Sequence, residues 1–321
     1  MRQVKVLYLP QGGVDPLWDK LVVDLVSGRH DLTVWDGTQS AAADFENVEV
    51  VIEMGGFAGA RDIPDTSRNV SLWQVLSTGL DHTDVAGLKA RGFTVTHCPG
   101  LLSAMALAES SMMLMLMLSR RTNEGKQHFD AAIMYALMGE ELAGKTLAIV
   151  GFGASGQQLA LRAKAFGMRV RAVDVRRIDQ AIVDDIQPDF LGGLEDLDDL
   201  LRECDFLSMQ LPLNDETRHL IDARRIELLK PTARIINVAR GAVIDEEAMH
   251  DALVQGRIAG AGLDVFGQEP PDPNLPVYQL PNVVVMPHVA GETIEVAHRR
   301  VQLCADNVDR FARGEEPKYQ V

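Results

Sequence analysis

The chain has 321 residues, 46% of them hydrophobic and 24% charged, which is more than one typical core requires and predicts two domains. Its 31 basic against 46 acidic side chains leave a net charge of −15, which repels nucleic acid and anionic membrane, so neither is an expected partner. Three scattered cysteines, Cys98, Cys204 and Cys304, form no metal spacing and no disulfide framework, so no metal is expected and a reducing cytoplasm is.

Residues 4–9 read as a first strand, because their apolar run is shorter than a signal peptide needs. Strand-like stretches follow at 32–35, 48–54, 72–76 and 93–96, and helical ones at 16–27 and 85–91. Gly12-Gly13, Gly55-Gly56, Gly79 and Pro99-Gly100 mark turns among them. Such alternation predicts a parallel sheet covered on both faces. Asp81 and Asp84 precede the second helix and are read as its caps. The segment Glu53 to Arg61 is rich in glycine and is a candidate for closing over a small ligand. Arg61 there reads either as a holder of a second anion or as a plain surface arginine.

Residues 103–120 are crowded with Met, Leu and Ala. Glu109 and several serines interrupt them, and the unbroken apolar run is only Met112 to Leu118. A membrane span needs about 20 mostly apolar residues, so a largely buried helix is the better reading. Residues 122–145, with Gly125, Gly139 and Gly144, read as a looser connector.

The run Leu147-Ala148-Ile149-Val150 then reads as a buried strand and ends in Gly151-Phe152-Gly153-Ala154-Ser155-Gly156. Apolar positions at Leu159, Ala160, Ala163 and Phe166 have helical spacing, and a second strand at 170–174 ends in Asp174, eighteen residues beyond Gly156. A Gly-x-Gly-x-x-Gly loop in strand–turn–helix–strand context is the pattern of a dinucleotide site. Gly151 allows the tight turn, Gly153 lets main chain approach a pyrophosphate, and Gly156 lets the helix lie close to its strand. Ala154 and Ser155 open the helix, whose free N–H groups and positive dipole end attract phosphate. Asp174 suits a ribose 2′-hydroxyl and repels a 2′-phosphate, which favours NAD(H). Arg176 and Arg177 follow at once and leave NADP(H) open, although a solvated pair at a strand end is the preferred reading.

Further strands at 206–210, 234–238, 260–265 and 283–286, with helices at 194–203, 223–229 and 246–255, bring the second domain to six strands. That fits a doubly wound sheet. The last helix, 293–313, carries Val296, Val301, Leu303, Val308 and Phe311 on one side and is expected to return to the first domain. Residues 1–101 and 291–321 would then form one discontinuous domain and residues 102–290 the other.

Three strand ends of the second domain carry chemistry. Arg240 follows one in Asn237-Val238-Ala239-Arg240-Gly241. Asp264 and Glu269 follow the next in Gly262–Pro270, and His288 follows the last in Met286-Pro287-His288. In open α/β sheets ligands bind at that edge. Each residue alone has a structural reading, as a surface arginine, a turn acid or a satisfied histidine. Their joint placement beside a dinucleotide loop favours a site.

These motifs, with Ser77-Thr78-Gly79-Leu80-Asp81-His82-Thr83-Asp84 and Leu211-Pro212-Leu213-Asn214-Asp215-Glu216-Thr217-Arg218, resemble the D-isomer-specific 2-hydroxyacid dehydrogenase family along nearly the whole chain. The resemblance implies an α/β protein of two domains, a Rossmann-type cofactor domain and a flavodoxin-like substrate domain, with a cleft between them and usually a homodimer. It implies Arg240, Glu269 and His288 as the catalytic set. The main chain around Thr78 and Gly79, together with Arg240, would hold the substrate carboxylate. Asp264 would meet the nicotinamide end of the cofactor, Pro212 would line its adenine side, and Val238 and Gly291 would complete the cofactor set.

Physical chemistry agrees with those roles. Reduction of a 2-oxo acid needs a hydride at the carbonyl carbon and a proton at its oxygen. A histidine titrates near operating pH, Glu269 beside it would favour the imidazolium, and Arg240 can grip a carboxylate in a fork. The expected activity is NAD(H)-dependent interconversion of small D-2-hydroxy and 2-oxo acids, with glyoxylate, hydroxypyruvate, pyruvate and phosphoglycerate-like acids all compatible. The alternative is an NADH-sensing protein resembling the C-terminal-binding co-repressors, with little turnover. Met286 where the family has Thr, and Leu80-Asp81-His82-Thr83 after Gly79, depart from the family pattern and leave the substrate open. His82, His97 and His298 read as bystanders.

Overall fold

The computed structural model describes residues 1–35, 45–55 and 67–321, so Gly56 to Arg61 of the proposed closing loop lie outside the described residues. The chain divides into two compact units, Met1–Leu102 with Glu292–Val321, and Ser103–Gly291.

The first unit is built on five parallel strands, β1 (Lys5–Leu9), β2 (Asp31–Val34), β3 (Val50–Glu53), β4 (Leu72–Val75) and β5 (Thr94–Thr96), in the order β2-β1-β3-β4-β5. Alternate residues of the central strands serve two cores. Val6 and Tyr8 pack with Trp18, Leu21 and Val22 of the helix Leu17–Val26 and with Val301, Cys304 and Val308 of the helix Ile294–Ala312. Leu7, Leu9 and Val51 pack on the other face with Trp73, Leu88 and Phe93. Burial on both sides explains why these strands read as continuous apolar runs. Full burial of each such valine or leucine stabilises the unit by roughly 1.5–3 kcal/mol. The C-terminal residues complete the sheet edge: His97 N–H donates to the Tyr319 carbonyl at 3.2 Å and Val321 N–H to the Val95 carbonyl at 3.0 Å. Asp84 caps the short helix Val85–Ala90 by accepting from Gly87 N–H at 2.9 Å.

The second unit holds seven parallel strands: β6 (Thr146–Val150), β7 (Arg169–Val173), β8 (Phe190–Gly192), β9 (Phe206–Met209), β10 (Arg234–Asn237), β11 (Gly260–Leu263) and β12 (Val283–Val285). Their order is β12-β11-β10-β9-β6-β7-β8, a doubly wound sheet whose winding reverses between β6 and β9. The sequence predicts six of these strands. β8 is the extra one, three half-buried residues at the sheet edge with no apolar run to announce them. Register aligns the functional ends: Val150 pairs with both Val173 and Met209, Asn237 with both Met209 and Leu263, and Leu263 with Val285. Every residue that follows these positions therefore emerges at one edge.

The Met-rich segment forms the helix Ala104–Ser119, with Met112, Leu114, Met115 and Leu118 in the core that also contains Ile149, Phe152 and Val284. Among the described residues, no helix is long and apolar enough to cross a membrane. The expected loose connector contains a fully wound stretch, Thr122–Asp130. Its residues bury little, so no apolar periodicity marks it. Local pairs support it instead, Arg121 with Glu124 and Lys126 with Asp130.

Candidate active site

The turn after β6 depends on Gly151, which sits at φ +95° with its N–H donating 2.9 Å to the Val173 carbonyl. A side chain at Gly151 would also press on the Gln210 carbonyl oxygen and on Leu211, at the end of β9. The glycine loop and the Gln210–Pro212 segment thus flank the point where the winding reverses. Gly153 precedes the helix Ala154–Ala165 without any side-chain cap, so the helix begins with its first-turn N–H groups, those of Ala154 and Ser155 included, offered outward. Gly156 packs against the carbonyl of Gly151, and any β-carbon there would overlap it. An open helix start, a glycine loop with only the Arg176 guanidinium near Gly153, and a carboxylate at the next strand end fit the phosphates and ribose of a dinucleotide. Val238 is buried in the core beneath this edge.

Asp174 is more engaged than the sequence indicates. Its carboxylate accepts from Phe152 N–H at 2.7 Å, from Arg176 N–H at 2.8 Å, and from the Arg176 guanidinium at 3.0 Å through two nitrogens. Burial pushes the Asp174 carboxyl up, but the Arg176 bonds outweigh it and hold the group below the usual carboxylate range. Arg176 is solvent-exposed, as expected, and in addition folds back onto Asp174.

At the ends of β10, β11 and β12 the structure brings Arg240, Glu269, His288 and Asp264 together. His288 Nδ1 lies 2.7 Å from Glu269 Oε2, and Glu269 Oε1 accepts from Phe266 N–H at 3.0 Å. Asp264 is buried and holds the segment that carries the imidazole. Its carbonyl accepts from His288 N–H at 2.8 Å, and its carboxylate accepts from Val289 N–H at 2.7 Å and Ala290 N–H at 3.0 Å. His288 itself sits at φ +56°, a left-handed conformation that a non-glycine residue adopts at some cost and that recurs at functional sites.

The electrostatics follow from this geometry. The hydrogen bond that His288 donates to Glu269 raises the His288 pKa above its ordinary value, against burial and against the nearby positive charge of Arg240. Burial would raise Glu269, but His288, the Phe266 amide and Arg240 together hold it below the usual range. Burial raises Asp264 despite its two amide partners. Arg240 is half-buried, its guanidinium donates 2.8 Å to the Ala239 carbonyl, and its charge acts on both members of the pair. Asn237 shapes this turn, donating to the Arg240 carbonyl at 2.9 Å and accepting from Ala239 N–H at 3.1 Å.

Thr78 and Gly79 belong to the first unit. Ser77 Oγ donates to the Gly79 carbonyl at 2.6 Å, and His97 Nδ1 lies 3.1 Å from the Thr78 carbonyl. The buried Arg300 donates to Thr78 Oγ1 at 3.3 Å. With both carbonyls tied back, the N–H groups of Thr78, Gly79 and Leu80 have no acceptor among the described residues. Successive free amides of this kind suit an anion.

A family model for the D-isomer specific 2-hydroxyacid dehydrogenase, NAD binding domain, matches residues 112–290. The chain belongs to this family. It is 40% identical over 262 residues to a glyoxylate reductase of Thermofilum pendens, covering 80% of this chain and 76% of that one. It is 36% identical over 299 residues to a hydroxypyruvate reductase of Thermotoga maritima, covering 89% and 92%. Among solved structures, a 2-hydroxyacid dehydrogenase from Ketogulonicigenium vulgare Y25 superposes with a TM-score of 0.84 at 28% identity, covering 100% and 99%.

Within this dehydrogenase fold the sequence reading misses the residues that hold the site in place. Ser77 and His97 fix the Thr78–Gly79 turn, although His97 reads as a bystander. Glu246 holds the turn that carries Glu269, and Tyr278 holds Glu246. Glu246 is hidden in sequence because an acid in the first turn of a helix already has an ordinary explanation.

Proposed function

We propose that this dehydrogenase reduces small 2-oxo acids, glyoxylate and hydroxypyruvate foremost, with His288 as the acid and NADH as the preferred reductant. The chain is an oxidoreductase that moves a hydride between a nicotinamide dinucleotide and a 2-hydroxy or 2-oxo acid. The observation that carries the assignment of residues is the 2.7 Å contact between His288 Nδ1 and Glu269 Oε2, under the charge of Arg240. The loop of Gly151, Gly153, Ala154, Ser155 and Gly156, with Asp174, Pro212, Val238, Asp264 and Gly291, would hold the dinucleotide. A bound nicotinamide supplies the hydride.

The protein's own work is then electrostatic. Glu269 fixes the imidazole through Nδ1 and keeps it protonated, leaving Nε2 to deliver a proton to the carbonyl oxygen. In the reverse direction the neutral imidazole takes that proton back. Arg240 polarises the carbonyl and grips the carboxylate, which the free amides at Thr78 and Gly79 also suit. A panel of NADH and NADPH oxidation with glyoxylate, hydroxypyruvate, pyruvate and a phosphorylated analogue tests the substrate. Absence of turnover with every member would overturn the reading.

Cofactor choice rests on Asp174 and its grip on Arg176. Asp174→Ala removes the ribose acceptor and releases a guanidinium for a 2′-phosphate. The ratio of kcat/KM for NADPH over NADH should rise by about 10- to 100-fold, the scale of a hydrogen bond to a charged group. An unchanged ratio would show that Asp174 does not read the ribose.

The enzyme is also proposed to work as a homodimer. Phe129, Met134, Tyr135 and Met138 lie close together in sequence on the second unit, with Tyr135 99% and Met138 86% exposed. Apolar groups so bare call for a cover, and a second copy of the chain supplies a matching one. Met134→Lys with Tyr135→Asp should convert a dimer to a monomer in light scattering; a monomeric parent protein would refute the proposal.

A further inference from the structure

Glu246 has a long ion-pair contact within its own helix, Oε1 lying 3.7 Å from His250 Nε2, but its hydrogen bonds go outside that helix. It opens the helix Glu246–Val254, whose start is already capped by Asp245 accepting from Ala248 N–H at 3.1 Å. One Glu246 oxygen reaches the turn after β11 and the other reaches Tyr278 in the short helix Pro276–Gln279. Oε2 accepts from Gly267 N–H at 2.9 Å, and Oε1 accepts from the Tyr278 hydroxyl at 3.0 Å. Tyr278 stands edge-on to Phe266, with centroids 5.4 Å apart and planes at 85°. Glu246 thus holds the Gly267 amide directly, and Tyr278 ties the same carboxylate to the Phe266 ring. The main chain of Gly241, next to Arg240, abuts the Phe266–Gly267 peptide so closely that a β-carbon would not fit. Two residues further on, Glu269 uses one oxygen on Phe266 N–H and the other on His288.

We propose that Glu246 is a positioning residue that fixes the Phe266–Glu269 turn, and through it the alignment of Glu269 with His288. This inference rests on the assignment of His288 as the acid. A helix-dipole role alone would leave the carboxylate free to point at solvent, and it would not explain one bond to the turn and a second to the Tyr278 hydroxyl. The lever is short: a shift of the Gly267 amide carries Glu269 with it, and displacement by about 1 Å at a reacting centre can cost about 100-fold in rate.

The test is steady-state kinetics of the full-length enzyme with NADH and glyoxylate across pH. Glu246→Ala should lower kcat by about 10- to 100-fold with little change in the KM for NADH. It should also move the alkaline limb of kcat to lower pH. The groups that set this limb are His288 itself with Glu269, Arg240 and Asp264 around it. Those around Glu246 are Tyr278 and His250, with Asp251 acting on His250. A looser Glu269 raises the histidine less, so protonation is lost earlier as pH rises. Glu246→Gln keeps an acceptor for Gly267 and turns its amide to the Tyr278 oxygen, so it should restore most of kcat and the parent pH profile. Equal loss in both variants would point to charge and overturn the proposal, as would an Ala variant with parental kcat and profile. If His288→Ala also retains full turnover, the assignment of the acid fails first; if His288→Ala abolishes turnover while Glu246→Ala is silent, only this inference fails.

Discussion

His288→Ala is expected to lower kcat for 2-oxo acid reduction by about 10²- to 10⁴-fold, the usual weight of a positioned general acid, and to leave NADH affinity nearly unchanged. Both halves follow from the geometry. In the proposed mechanism the imidazole gives the proton, and Glu269 lies 2.7 Å from its Nδ1. The dinucleotide loop lies at other strand ends and keeps its own partners, Val173 for Gly151 and Phe152 for Asp174. The sign of the pH dependence is also fixed. Glu269 raises the histidine's pKa, so the proton donor is present below that raised value and reduction falls as pH rises through it. Oxidation of the hydroxy acid needs the neutral imidazole and rises over the same range. In the Ala variant that limb should vanish from both directions. Stopped-flow turnover with glyoxylate and fluorescence titration of NADH separate chemistry from binding. A kcat within a few-fold of the parent, or a matching loss of NADH affinity, would remove His288 from the acid's role.

The sequence makes some parts of this molecule readable and hides others, and the division has a physical basis. Buried parallel strands announce themselves because both faces are apolar; thus β1, β3, β6 and β9 stand out, whereas the half-buried Phe190–Gly192 edge does not. Arg240, Glu269 and His288 are legible because the parallel order sends every strand end to one edge, so spacing along the chain translates into proximity. The partners of those residues are not legible. Arg176 lies two residues past Asp174, yet nothing in the string says that its side chain folds back onto that carboxylate. Glu246 and Tyr278 are 32 positions apart yet bond directly, and the same carboxylate also holds Gly267 N–H. Such contacts depend on loop paths, which hydrophobic periodicity does not encode.

Gly241→Ala is expected to be nearly as damaging as loss of the acid, although Gly241 has no side chain to contribute. A methyl at this position would overlap the carbonyl group of Phe266 and the amide nitrogen of Gly267, all main-chain atoms that cannot rotate aside. Overpacking of a tight site costs roughly 1–3 kcal/mol, which corresponds to a fall in Tm of about 2–4 °C per kcal/mol in a unit of this size. The catalytic cost is larger because of what sits on each side of the clash. If the β10 turn yields, Arg240 moves; if the β11 turn yields, Glu269 moves, since its carboxylate is tied to Phe266 N–H at 3.0 Å. Either way the guanidinium and the Glu269–His288 pair lose their mutual register, and kcat/KM for the oxo acid should fall by about 100-fold while the KM for NADH changes little. Gly28→Ala is the matched control, because a β-carbon there meets nothing within 4 Å and the backbone is not left-handed. Parental kcat/KM in the Gly241 variant would mean that the two turns can separate without consequence, and the tight approach of their main chains would then have no part in aligning the catalytic groups.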